Sequence, residues 1–118
     1  MAALELTSRE EFEHAIREGL SLVSFGAPWC KPCRIQEPII DRLTDAYRGQ
    51  AIVAQLNIDQ NPIIAMELEI QSIPTIIIFR EGCEVDRFIG FQSVERLDRA
   101  LQIVLVKKVV PDQTKSSA

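Results

Sequence analysis

Two cysteines separated by two residues, Cys30 and Cys33, are the side chains best placed to do chemistry in this sequence. The apolar run 20–25 indicates a buried strand before them. Apolar residues recur at helical spacing from Ile35 onward, so we expect a helix to begin at the cysteines. A thiol at a helix N-terminus faces unpaired N–H groups and the positive end of the helix dipole, which both favour the thiolate. The sequence therefore predicts a dithiol that can open and close, with Cys30 exposed and Cys33 one turn further in.

A Cys-x-x-Cys pair also occurs in zinc sites, so the spacing alone leaves two kinds of chemistry open. Cys83 and His14 would bring the number of candidate zinc ligands to four. However, the sequence has no second Cys-x-x-Cys and no closely spaced His pair. The periodicity places His14 on the exposed side of the first helix, and Cys83 follows a turn as an ordinary half-exposed residue. We therefore assign no metal and no bound cofactor.

The elements that must position the dithiol follow from the order of apolar patterns along the chain. Strands are predicted at residues 4–6, 20–25, 51–58, 75–79 and 85–89. Helices are predicted between a cap at Thr7 or Ser8 and a stop at Gly19, from the cysteines to about Arg48, from Pro62 to about Leu68, and after Ser93. This order predicts an α/β fold with a central mixed sheet of five strands, flanked by four helices.

Composition sets the size of the domain and the class of partner. The chain has 118 residues, of which 47% are hydrophobic, and this predicts one domain over residues 1–110. The polar residues 111–118 are predicted to be a disordered tail. A net charge of −4 argues against nucleic acid or an acidic membrane as the main partner. Neither a signal sequence nor a membrane span is recognisable, which favours a cytoplasmic location.

The motif Trp29-Cys30-Lys31-Pro32-Cys33, directly after a strand, resembles the thioredoxin family. The segment 72–75 looks like the family's cis-proline segment opposite the dithiol, and Gly90 matches the family's third loop around it. The resemblance spans about residues 4–106 and implies the thioredoxin fold.

The family resemblance implies a role for each cysteine. Cys30 would be the attacking thiolate and Cys33 the resolving thiol of a protein-disulfide reductase. The substrate would lie in a docking groove formed by Trp29, Lys31, Pro32, Ile58, Ile73, Pro74, Ile89, Gly90 and Phe91. The implied partners are disulfide-containing proteins and a reductase that supplies electrons, with the chain acting as a monomer. A disulfide oxidase or isomerase is the alternative enzyme. A redox-silent adaptor is a further alternative, against which the presence of both cysteines argues.

The sequence departs from the family pattern at three places. Ser24 and Gln55 stand where the family usually has a buried Asp and its Lys partner, and we expect a neutral pair that can hydrogen-bond. Lys31 stands where thioredoxins usually have Gly, and its charge should favour the Cys30 thiolate and a more oxidising disulfide. Phe91 replaces a typically small residue, which should alter the choice of partner.

Overall fold

The computed structural model describes residues 2–106, so the predicted tail 111–118 and the end of the predicted domain lie outside the described residues. The strands are β1 (Leu4–Leu6), β2 (Leu20–Gly26), β3 (Ile52–Asn57), β4 (Thr75–Arg80) and β5 (Cys83–Ile89). The helices are α1 (Arg9–Ile16), α2 (Lys31–Ala46), α3 (Pro62–Glu67) and α4 (Val94–Val106). No helix in this part of the chain is long and apolar enough to cross a membrane.

The strands form one mixed sheet in the order β1-β3-β2-β4-β5. β1 and β2 both pair with β3 in parallel, while β4 runs antiparallel to β2 and to β5. The predicted mixed sheet of five strands with four helices is therefore confirmed. β5 begins at Cys83, two residues before the predicted start.

Alternating side chains of the sheet build a hydrophobic core on each of its faces. Leu22 of β2 packs in a cluster with Leu43 of α2 and Leu97 of α4. Phe25, on the opposite face, packs with Phe12 of α1 and with residues of α3. Because β2 is buried on both faces, the loop at its C-terminal end emerges from a fixed point between the two cores.

The C-terminal end of α2 is anchored to α4 through Tyr47. This side chain is 2% exposed, and its hydroxyl donates to Asp98 Oδ1 while Gln102 Nε2 donates to it at 2.9 Å. Burial, followed by the hydrogen bond to Asp98, raises the pKa of Tyr47 to about 12, so the phenol stays neutral. The helix that carries the cysteines is thus held at the end remote from them.

Ser21 of β2 provides a test of how this core is stabilised. Its hydroxyl is buried and has no hydrogen-bond partner among the described residues. Because an unpaired buried hydroxyl is costly, Ser21→Ala should raise the free energy of unfolding by about 1 kcal/mol. Denaturant unfolding would measure this change. Ser8→Ala is the matched control and should lower stability by about 1 kcal/mol, because the Ser8 hydroxyl caps α1 by accepting from the Glu11 N–H at 3.1 Å. A loss of stability in Ser21→Ala would contradict this account.

Candidate active site

The two cysteines lie where β2 gives way to α2. Cys30 is the N-cap residue of α2, with an extended backbone at φ −89° and ψ 113°. The Cys33 backbone N–H donates to Cys30 Sγ at 3.2 Å, so a helix-terminal N–H points at this sulfur. The two sulfurs are bonded as a disulfide, with a Cα–Cα distance of 5.2 Å. The local geometry thus fits a redox-active pair, with Cys30 placed where negative charge is stabilised.

The expectation that Cys30 is exposed was wrong for this disulfide-bonded state. Cys30 is 5% exposed and Cys33 is 7% exposed. The reason is apolar packing, since Ala27 forms a cluster with both cysteines, and Ile58 and Ile73 pack against it. Apolar side chains therefore cover the Cys30 sulfur in the disulfide-bonded state.

The peptide bond between Ile73 and Pro74 is cis, as the family resemblance implied. The Ile73 carbonyl oxygen lies 3.8 Å from Cys30 Sγ. Within residues 2–106, no backbone group hydrogen-bonds to the Ile73 backbone. Gly90, at φ +91°, donates its N–H to the Pro74 carbonyl at 2.8 Å and so brings the loop after β5 beside the proline. An unpaired backbone beside a reactive sulfur can pair with an extended peptide.

The remaining groove residues border this centre, and most of them are exposed. Trp29 is 66% exposed, and its indole N–H donates to Asp59 Oδ2 at 2.8 Å, which fixes the ring at the rim. Ile89 and Phe91 are exposed on either side of Gly90, at 66% and 46%. Exposed apolar side chains around a reactive group are typical of a contact surface for another protein. Lys31 and Pro32 are exposed on the first turn of α2.

Gln36 ties α2 to the loop that carries Phe91, a link that the sequence analysis missed. This side chain is 1% exposed, and its Nε2 donates to the Gln92 carbonyl at 2.9 Å. Its Oε1 accepts from the Gln92 N–H at 2.8 Å. Gln36 lies one turn beyond Cys33 on α2, so a polar residue at a buried helical position was the available signal.

Ser24 and Gln55 do not form the expected hydrogen-bonded pair. Neither side chain makes a hydrogen bond within the described residues, although the two lie side by side in the register of β2 and β3. They line a cavity of about 140 Å³ between α2 and the sheet. Gly26 leaves room for Cys33 at the edge of this cavity, because a Cβ there would lie 2.9 Å from Cys33 Sγ. The cavity therefore lies next to the sulfur of Cys33.

Two carboxylates that the sequence analysis missed, Glu5 and Glu37, also line this cavity. Although Glu5 is exposed, partial desolvation raises the pKa of its carboxyl, and the carboxylates of Glu37 and Asp41 raise it further. The spacing of these residues was the available signal. Glu5 lies two residues after Ala3, so it shares a face of the strand with it, and Glu37 lies one helical turn after Cys33, so it shares a face of the helix with it.

The four candidate zinc ligands are not brought together. Cys30 and Cys33 are bonded to each other, while His14 is exposed on α1 and Cys83 is exposed at the start of β5. Among residues 2–106, no three His, Cys, Asp or Glu side chains are grouped so as to hold a metal ion. Cys83 is more exposed than the half-exposed position expected of it.

Comparisons with known proteins agree with this geometry. The Thioredoxin family model matches residues 3–103. The thioredoxin of Staphylococcus aureus is 39% identical over 101 residues, covering 86% of this chain and 96% of that protein. The thioredoxin of Staphylococcus saprophyticus is 38% identical over 102 residues, covering 86% and 97%. The solved structure of a mutant thioredoxin from Halobacterium salinarum superposes with a TM-score of 0.79 at 26% identity, covering 86% of this chain and 88% of that one.

The cavity predicts the cost of placing a carboxylate at position 24. Ser24 is 7% exposed, and neither Lys nor Arg is among the described residues that line the cavity. Ser24→Asp should therefore lower the free energy of unfolding by about 2 kcal/mol at neutral pH, because the ionised group is partly desolvated without a cation. These surroundings would raise the pKa of the new carboxyl in the folded state. The loss should therefore disappear as the pH falls below about 4, the pKa of an unfolded Asp.

Denaturant unfolding of Ser24→Asp at neutral and acidic pH would measure this effect. Ser24→Asn, which is similar in size to Asp and uncharged, is the control and should show no such pH dependence. Equal stability of the two variants at every pH would show that the cavity solvates a carboxylate without cost.

Proposed function

This chain belongs to the thioredoxin family, and from that premise we propose that Cys30 is the attacking thiolate and Cys33 the resolving thiol of a protein-disulfide reductase. Because this chain belongs to the family and has a bonded Cys30–Cys33 pair, it is a thiol–disulfide oxidoreductase. The observation that supports the roles is the Cys33 N–H directed at Cys30 Sγ at 3.2 Å. The helix terminus stabilises negative charge on Cys30, whereas Cys33 lies within the first turn.

The proposed cycle has two exchange steps. The Cys30 thiolate attacks one sulfur of a substrate disulfide, and the other substrate sulfur leaves as a thiolate that takes a proton from solvent. Cys33 then loses its proton and attacks Cys30 Sγ, which breaks the mixed disulfide and releases the second substrate thiolate. The substrate gains two electrons, and the protein is left with the Cys30–Cys33 disulfide. A thiol reductant must then return both cysteines to the reduced form.

We propose that the substrate is a protein whose extended segment pairs with the Ile73 backbone in the docking groove. Trp29, Ile89 and Phe91 supply exposed apolar surface around the sulfur, in line with a protein partner rather than a small polar molecule. A reductase protein as electron donor, a monomeric state and a cytoplasmic location complete the proposal. The domain limits 1–110 belong to it as well.

Disulfide oxidation or isomerisation is the second candidate function, and Lys31 is the residue that favours it. Its ammonium is adjacent in sequence to Cys30 and stabilises the thiolate, hence the reduced protein, so the disulfide becomes a better oxidant. Because Lys31 is exposed, solvent and salt screen this effect. Reduction is therefore the favoured direction.

The roles of the two thiols can be separated by single substitutions. Cys33→Ser should accumulate a stable mixed disulfide between Cys30 and a substrate, because the resolving attack is lost. Cys30→Ser should accumulate none, since the attacking thiol is missing. Non-reducing electrophoresis and mass spectrometry after mixing with a disulfide-containing protein such as insulin would count the trapped adducts. Both variants should carry Cys83→Ser, so that the exposed third thiol does not contribute. Equal trapping by the two variants would overturn the assignment.

The contribution of Lys31 can be measured as a reduction potential. Lys31→Gly should raise the pKa of Cys30 by less than about one unit, because an exposed ion pair is weak. The disulfide should become harder to reduce, with a potential lower by less than about 30 mV. Equilibration with glutathione would measure the potential, and Lys31→Arg, which keeps the charge, is the control. A higher potential in Lys31→Gly would show that the cation is not what sets the couple.

A further inference from the structure

The Cys33 thiol must lose a proton before it can attack Cys30, and the neutral polar residues on the sheet beside it supply no base. Ser24 and Gln55 are neutral, and the Ser24 side chain lines the cavity and makes no hydrogen bond within residues 2–106. A polar cavity of about 140 Å³ with unpaired hydroxyl and amide groups has both the volume and the partners to hold water. The cavity is thus a route by which a proton can leave Cys33.

The sheet register aligns a carboxylate with this route. Glu5 of β1 pairs with Gln55 of β3, which in turn pairs with Ser24 of β2. Side chains in register on neighbouring strands share one face of the sheet, and two strand spacings separate the Cα atoms of Glu5 and Ser24 by about 10 Å. A hydrogen bond from the Ala3 N–H to Asp41 Oδ1 at 3.0 Å ties β1 to α2 beside this row. The position of Glu5 relative to the cysteine helix is therefore fixed.

The helix side of the cavity adds negative charge and no cation. Cys33 and Glu37 lie four residues apart on α2 and so share one helix face. Glu37 and Asp41 are the charged groups that act on Glu5 from α2, while its neighbour on β3 is the neutral Gln55. Neither Lys nor Arg lines the described cavity.

We propose that Glu5 is the proton acceptor for the Cys33 thiol, through water held in this cavity, when the mixed disulfide is resolved. The Cys33 S–H proton passes along the water to the Glu5 carboxylate, which becomes a carboxylic acid. The Cys33 thiolate then forms the bond to Cys30 Sγ, and the bond between Cys30 and the substrate breaks. The electron pair leaves on the substrate thiolate, which takes a proton from solvent, and Glu5 later returns its proton to solvent.

The electrostatic surroundings of Glu5 suit this task, and the inference rests on the proposed roles of the two cysteines. Partial desolvation and the two α2 carboxylates raise the pKa of the exposed Glu5, so it binds a proton more readily than an isolated Glu. A raised pKa in the folded state also means that the ionised carboxyl opposes folding above its unfolded pKa. Glu5→Gln should therefore be at least as stable as the natural chain at neutral pH, and slower chemistry in this variant would not reflect unfolding.

The test is a stopped-flow single turnover of the reduced protein, in a Cys83→Ser background, with limiting dithiobis(nitrobenzoic acid). One coloured thiolate is released when Cys30 attacks, and the second when Cys33 resolves the mixed disulfide. The first release should be the same in all Glu5 and Glu37 variants. With Glu5 in place, the rate of the second release should change little between about pH 6 and pH 8, because a carboxylate takes the proton. Glu5→Gln should slow the second release about tenfold near neutral pH. In this variant the rate of the second release should rise about tenfold per pH unit.

Three further variants sharpen the result. Glu18→Gln makes the same charge change outside the cavity, two residues before β2 begins, and should leave both phases unchanged. Glu5→Asp keeps the carboxylate and should keep the weak pH dependence. Glu37→Gln removes a negative charge near Glu5. The pH range in which the rate of the second release is constant should therefore begin at a lower pH in this variant, and it should not disappear.

A second release in Glu5→Gln that matches Glu18→Gln in rate and pH dependence would overturn the inference. Loss of the pH range of constant rate in Glu37→Gln but not in Glu5→Gln would overturn it as well. Absence of the first release in the reduced Cys83→Ser protein would instead overturn the proposed role of Cys30, and this inference with it. In the Glu5→Gln, Ser24→Asp double variant a carboxylate again lines the cavity, so fast release should return. Continued slow release there would show that the cavity is not the proton route.

Discussion

The hydrogen bond from the Cys33 N–H to Cys30 Sγ is the interaction on which the rest of the site depends. It exists because α2 begins directly at Cys30, which places the sulfur among N–H groups that have no helical partner. The start of α2 is in turn fixed by the buried strand β2 before it. Tyr47 and Gln36 hold the same helix against α4 and against the loop after β5. The fold therefore places one sulfur in an electropositive position and holds it there.

The two sulfurs have similar burial but different surroundings, and the difference separates their chemistry. Cys30 lies beside the Ile73 carbonyl and the apolar groove, where an extended chain can approach. Cys33 borders a polar cavity on the sheet side of the helix, lined by Ser24 and Gln55. One sulfur thus borders an apolar surface beside the Ile73 carbonyl, and the other borders a polar cavity. A disulfide exchange that must stop at a mixed intermediate and then resolve needs this asymmetry.

Much of the fold could be predicted from sequence because its patterns are local. The apolar runs that predict the strands depend on near neighbours, and the structure has a strand at each of the five predicted places. The turn between β4 and β5 is equally local, with positive φ at Glu81 and Gly82. The cis bond before Pro74 was predicted only through the family resemblance. The first and last residues of a strand are harder to predict from sequence, because pairing with a neighbouring strand decides where the strand starts. β5 therefore begins at Cys83, which pairs with Arg80, before the apolar pattern does.

The parts of the site that the sequence did not predict depend on contacts between distant segments. Cys30 looked exposed as the first residue of a helix, but Ile73, forty-three positions away, covers it. Ser24 and Gln55 were expected to hydrogen-bond to each other, yet both side chains instead line a cavity together with Glu5 of β1. The interaction of Gln36 with Gln92 needs the loop after β5 to reach α2. The sequence can mark a residue such as Gln36 as buried, but no local pattern shows which distant segment it contacts.

The central claim is that the start of α2 makes Cys30, and not Cys33, the reactive thiolate. Alkylation of the reduced Cys83→Ser protein by iodoacetamide over a range of pH, read by peptide mass spectrometry, tests it most directly. The account predicts modification of Cys30 first, with an apparent pKa below the value of about 8.5 for a free cysteine. Modification of Cys33 at an equal rate, or a Cys30 pKa at or above about 8.5, would contradict it.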